Sequence, residues 1–117
     1  MLKLKRAYDP VSKADGTRFL VERLWPRGLT KERAALELWL KDVAPSPDLR
    51  KWFGHDPARW KQFKQRYWNE LKNKKDDVGV LRRKARQGKV TFIYAAHDEE
   101  HNGALALKEF IEQRGKE

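Results

Sequence analysis

The chain has 117 residues, no cysteine and a formal net charge of +10, from 27 basic and 17 acidic side chains. That length suits one domain with a modest core. The missing cysteines exclude disulfides, thiolate metal sites and cysteine nucleophiles. Apolar residues make up 39% and charged residues 38%, but five Trp, five Phe and three Tyr supply large buriable surfaces, so a folded aromatic-rich domain is expected. No apolar run approaches the length of a membrane span, and the opening residues 1–5 do not read as a signal peptide, so a soluble cytoplasmic protein without a membrane partner is expected. The charge is uneven. Residues 1–75 carry nineteen basic and nine acidic side chains, while the remainder balances at eight of each. A positive field of this kind favours anionic partners: small phosphates or carboxylates, nucleotides, or nucleic acid.

The elements follow in chain order. Leu2 to Ala7 alternates apolar and basic residues, the period of a strand at or near a sheet edge. Tyr8-Asp9-Pro10 ends it, and Ser12 to Gly16 reads as a turn. Thr17 to Leu24 is a second strand, apolar on both faces and hence central, with Phe19 and Val21 facing one way and Leu20 the other. Trp25-Pro26-Arg27-Gly28 breaks it. Thr30 can cap a helix over Lys31 to Asp42, with Leu36, Trp39, Leu40 and Val43 on one face. Ser46-Pro47 starts a short helix that runs to Phe53 before Gly54. Asp56-Pro57 repeats that signal ahead of a long helix reaching about Asn73. Asp76 or Asp77 can cap a fourth helix over Val78 to Gln87. Lys89 to Ala96 is the clearest buried strand, and Asn102 precedes a last helix from Gly103 to Arg114.

The long helical span between the second and last strands suits a crossover to a parallel partner. The expected fold is α/β: a small, mostly parallel sheet of three or four strands flanked by helices, in a single domain over residues 1–117. Ligands of such sheets bind beyond the carboxyl ends of the strands. That edge should be built from Trp25 to Thr30 and from Ala96 to Asn102.

Several motifs resemble the YeaO-like family of uncharacterised bacterial proteins, domain of unknown function 488. They are Leu20-Val21-Glu22-Arg23-Leu24-Trp25-Pro26-Arg27-Gly28, Trp39-Leu40-Lys41 with Ala44-Pro45-Ser46, and Leu49 to His55, together with Tyr67 to Leu71, Ile93 to Ala96 and His101-Asn102. The resemblance covers nearly the whole chain. It implies a bacterial cytoplasmic α/β domain and carries no reaction with it. Glu22 stands where many members of that family have Asp, and His97 where they more often have a basic or other polar residue.

Charge inside an apolar strand needs a partner, so the polar end of the second strand is the first place to look. Arg23, Arg27 and Gly28 are the candidate anion-binding residues, because guanidinium groups and free amides before a helix grip phosphate or carboxylate. Glu22, Trp25, His101 and Asn102 are expected to line the same site. His97-Asp98-Glu99-Glu100-His101 matches a His-x-x-Glu-His zinc signature in spacing only. It follows a strand and ends at a helix cap, so no metal is expected there. Arg50, Lys51, His55 and Arg59, interleaved with Trp52, Phe53 and Trp60, offer a basic aromatic surface of the kind that holds single-stranded nucleic acid, against the plainer reading of core aromatics under a solvated face. No phosphate loop, dinucleotide glycine motif or Ser-His-Asp arrangement is present, and no cofactor is expected. The leading reading is a binder of an anionic small molecule or nucleotide at the strand ends, with or without an enzymatic activity. A nucleic-acid-binding module is the alternative.

Overall fold

In the computed structural model, which describes residues 2–114, β1 (Leu2–Arg6) and β2 (Thr17–Leu20) are joined by a turn around Lys13–Asp15. The turn closes as a capping box: Ser12 Oγ accepts from the Ala14 amide, and the Asp15 carboxylate accepts from the Ser12 amide at 3.0 Å. Gly16 completes it at φ +63°, where a Cβ would stand 2.3 Å from the Lys89 carbonyl oxygen. Only glycine fits that approach.

Next come α1 (Lys31–Ala34), β3 (Leu38–Trp39), α2 (Pro47–Phe53), α3 (Trp60–Leu71), α4 (Lys75–Gln87), β4 (Val90–Tyr94) and α5 (Gly103–Arg114). The sheet order is β1-β4-β2-β3, and every pairing is parallel. β4 sits between β1 and β2 and is buried at every residue. The α/β class and the parallel sheet therefore match the expectation, with four strands.

Side-chain alternation sends two sets of residues to opposite faces. Phe19, Val21, Phe92 and Tyr94 meet Leu49, Phe53, Phe63, Tyr67, Leu81 and Leu107 from α2, α3, α4 and α5. Leu20 and Ile93 face the other way, against Leu29, Ala34 and Trp25 of the segment after β2. At the amino end of that second face, Asp15 is buried with Lys5 at 3.0 Å and Arg18 at 2.6 Å. Burial pushes the Asp15 carboxyl up, but the Ser12 amide and the two cations more than offset this and hold it below its ordinary range.

Three sequence expectations change. The helix expected over Lys31 to Asp42 stops at Ala34, and Ala35 turns left-handed at φ 47°. The reason is the open edge of β2: its Arg18 and Leu20 carbonyls accept from the Glu37 and Leu40 amides at 2.8 and 2.9 Å, which draws this segment into β3. Its apolar residues divide accordingly, with Leu36 packing on one core, Leu40 and Val43 on the other, and Trp39 left half-exposed at the edge. β2 ends at Leu20 rather than Leu24, which is exposed. Finally, α4 begins at Lys75, so Asp76 and Asp77 lie in its first turn, where they complement the helix dipole instead of capping it.

Candidate functional site

A cavity of about 340 Å³ opens beyond the carboxyl ends of β2 and β4. That volume is in the range of small-molecule sites. Its floor is apolar: Val21, Ala44, Phe53, Phe63 and Ala104 are all buried. Phe53 and Phe63 stack there with ring centroids 4.3 Å apart. Around the mouth stand Arg23, Arg50, Lys51, His55 and His101, facing a single acid, Glu22.

Each of these groups is held by a specific element. The chain leaves the ladder after Leu20, so Glu22 and Arg23 are free to bond across the strand ends. Glu22 Oε1 accepts from the Ala95 amide at 2.8 Å, tying the loop after β2 to the loop after β4. Burial raises the Glu22 carboxyl above its ordinary range, opposed by that amide and by the positive charges of Arg50 and His55. Arg23 donates to the Ala44 and Pro45 carbonyls at 3.2 and 3.5 Å, yet its buried Nε has no partner among the described residues. A buried unpaired donor on a cavity wall marks a place where an acceptor would be welcome.

The wall from Asp42 to Ser46 is fastened from four directions. Tyr67 Oη donates to the Val43 carbonyl at 2.6 Å, and the Ser46 amide and hydroxyl donate to Glu70 at 2.9 and 2.6 Å. Lys74 reaches the Asp42 and Ala44 carbonyls, beside the two Arg23 contacts. The Ser46 cap and Pro47 then launch α2, which presents Arg50 and Lys51 to the mouth. α2 ends at Gly54, and His55 follows at φ 57°, a left-handed position that a non-glycine residue holds at some cost in strain.

The opposite wall is the start of α5. Asn102 Oδ1 accepts from the Leu105 amide at 2.8 Å, and Asn102 Nδ2 donates to the Asp98 carbonyl at 2.9 Å. His101 Nδ1 lies 2.9 Å from Asp98 Oδ2, and its ring meets Trp60 edge-on. The amide of Glu100 and the His101 side chain hold Asp98 below the ordinary carboxylate range. Gly103 lets Pro45 approach within 3.2 Å of where a Cβ would stand, so the two walls close against each other.

Of the expected site residues, Glu22, Arg23, His101 and Asn102 line this cavity. Arg27, Gly28 and Trp25 do not. Trp25 packs into the smaller core on the opposite face and donates to the Leu29 carbonyl at 2.6 Å, which turns the Trp-Pro-Arg-Gly segment away from the helices. Arg27 and Gly28 are exposed there, with the Tyr8 hydroxyl on the Arg27 carbonyl. Arg50, Lys51 and His55 take their place. The sequence had marked those three as basic residues among aromatics, without linking them to the strand ends. His97 is exposed, lies outside the cavity and shares no helical face with His101, because residues 95–102 form a loop. Among the described residues no three His, Asp or Glu side chains gather closely enough to hold a metal ion. None of the lining residues carries a hydroxyl or thiol; the polar groups of the cavity are carboxyl, guanidinium, ammonium, imidazole and amide. No helix of the described residues is long and apolar enough to cross a membrane.

Comparison with known proteins puts a family around this geometry. The family model described as the inactive DUF488-N3 subclade matches residues 1–117. The uncharacterised protein YeaO of Escherichia coli is 36% identical over 110 residues, 94% of this chain and 96% of that protein. Uncharacterised proteins of Mycobacterium tuberculosis and Mycobacterium bovis are 34% identical over 113 residues, 97% of this chain and 95% of each. No solved structure matches the chain.

Proposed function

Because the chain belongs to the inactive DUF488-N3 subclade, we propose that it works by holding a ligand rather than by transforming one: it is a cytoplasmic, single-domain binder of an anionic small molecule or nucleotide. The observation that carries this reading is the cavity at the strand ends, where Arg23, Arg50 and Lys51 surround an apolar floor against one carboxyl. Charge-assisted bonds from guanidinium and ammonium groups are the strong ones for phosphate and carboxylate. The Phe53–Phe63 stack provides a surface for an apolar or aromatic body. Glu22, whose second oxygen has no protein partner among the described residues, and His101 supply the groups that orient it. The firmly tied wall from Asp42 to Ser46 supports a preorganised site, which lowers the ordering cost of binding.

The test is a thermal-shift and calorimetric screen of inorganic phosphate, nucleoside monophosphates and simple carboxylates. Wild-type protein should bind at least one class. The exposed pair Arg50→Ala with Lys51→Ala should weaken it at least about tenfold, the loss of one to two charged hydrogen bonds. No response from wild type to any anion removes the reading.

A further inference from the structure

α2 and α3 carry further cations besides Arg50 and Lys51 at the cavity mouth. Residues 47–75 carry nine basic and three acidic side chains. Of those three acids, Glu70 is occupied internally by Ser46. Two cations of this stretch are ion-paired, Arg59 with Asp56 and Lys64 with Glu109. On α2, on α3 and at the residue after it, Arg50, Lys51, Lys61, Arg66 and Lys72 are exposed and have no ion-pair partner among the described residues.

Two of the guanidinium groups here are also fixed in place. Arg66 lies 4.1 Å and Arg59 5.3 Å from the centre of the Trp52 ring, and Arg59 further donates to the Trp52 carbonyl. Trp52 adjoins Lys51 at the cavity mouth. With its ring covered by guanidinium, the indole is not a stacking platform for bases. It fixes Arg66, which has no ion-pair partner among the described residues, as a planar donor for phosphate, while Arg59 is also engaged by Asp56. The cavity floor is buried while Arg50, Lys51 and His55 are exposed, so a ligand enters from the α2 side and ends against Phe53 and Phe63.

We propose that this track and the cavity form one site for the phosphorylated end of a single-stranded nucleic acid. The terminal phosphate and its nucleotide enter the cavity, and the following backbone phosphates lie along α2 and α3. Binding is independent of base sequence, because the track offers charge and no free aromatic face. The proposal rests on the anion reading of the cavity and extends it to a macromolecule.

Fluorescence polarisation with single strands of about eight nucleotides tests it. The strands carry a phosphate at the 5′ end, at the 3′ end, or at neither, and inorganic phosphate and a mononucleotide serve as competitors. One phosphorylated strand should bind at least about tenfold tighter than both the unphosphorylated strand and the mononucleotide, roughly the worth of one charge-assisted contact. For single strands the salt slope falls by about 0.7 per phosphate contact. Lys61→Ala with Arg66→Ala should therefore lower it by about 1.4 and leave phosphate affinity unchanged. Equal binding of phosphorylated and unphosphorylated strands overturns recognition of the end. Strands that bind no tighter than the mononucleotide, with the mononucleotide still held by the cavity, overturn the track and leave the small-anion reading standing.

Discussion

Replacing Glu22 by glutamine removes the one negative charge among the cavity-lining residues and keeps an acceptor for the Ala95 amide. A sphere of the cavity's 340 Å³ is roughly 9 Å across, which sets the separation between Glu22 and a bound anion. At about 8 Å and an effective dielectric of about 40, one unit charge and doubly charged sulfate repel by about 2 kcal/mol. That is a factor of about thirty in affinity. Glu22→Gln should therefore bind sulfate about thirtyfold tighter at neutral pH in dilute salt. Sulfate is the right probe because it carries no proton to share with Glu22. The gain should shrink as salt screens the pair. Stability gives a second reading. Burial holds the Glu22 carboxyl above its ordinary value of 4.5, so the unfolded chain ionises first as pH rises. Wild type then loses stability through that range and levels off above the raised value. Glutamine does not titrate, so the variant should be the more stable protein at neutral pH, with the difference closing in acid below the ordinary value. Calorimetry with sulfate and urea unfolding at several pH values measure both. Weaker sulfate binding together with lower stability at neutral pH would refute the electrostatic account of the cavity.

Other perturbations separate the two faces of the sheet. Arg27→Ala, on the face away from the cavity, should leave phosphate and sulfate affinity unchanged in the same titrations. Tyr67→Phe deletes a buried donor and strands the Val43 carbonyl, at a cost of about 1–2 kcal/mol, read as a lower urea midpoint at constant m-value. Asp15→Ala leaves buried Arg18 without its acid, which should cost about 3 kcal/mol or more. Wild type should show the matching pH dependence. Asp15 is held below its ordinary 3.8, so its contribution is present above that value and is lost as pH falls through the lowered one. Acid urea titrations of wild type against Asp15→Ala should converge at the lowest pH.

Where local signals and burial agreed, the fold could be read from the chain. Residues 90–94 have the apolar run of a strand covered on both faces, and they form the fully buried β4. Ser46-Pro47, Gly54 and Asn102 carried their caps as expected, because capping is decided within a few residues. The segment from Lys31 to Asp42 misled because its apolar spacing fits a helix, whereas the β2 carbonyls that claim its amides lie far back in sequence. That Glu22, Arg23, His101 and Asn102 gather at one cavity was legible, because residues just past neighbouring parallel strands share an edge. The place of Arg27 outside it was not, since the direction of a turn depends on which core takes its neighbouring tryptophan. Arg50 and Lys51 were visible as charges, but only the packing of α2 over the strand ends makes them part of a cavity.

The position of β4 also governs how the chain can acquire its structure. Both β1 and β2 find their main partner in residues 90–94, the last strand to be synthesised. Until β4 is available, only the two-residue pairing of β2 with β3 can form. The early strands must wait with open edges, a slow and aggregation-prone situation. Arrival of β4 therefore zips the sheet, joins the loops after β2 and β4 through Glu22 and Ala95, and creates the cavity in the same event.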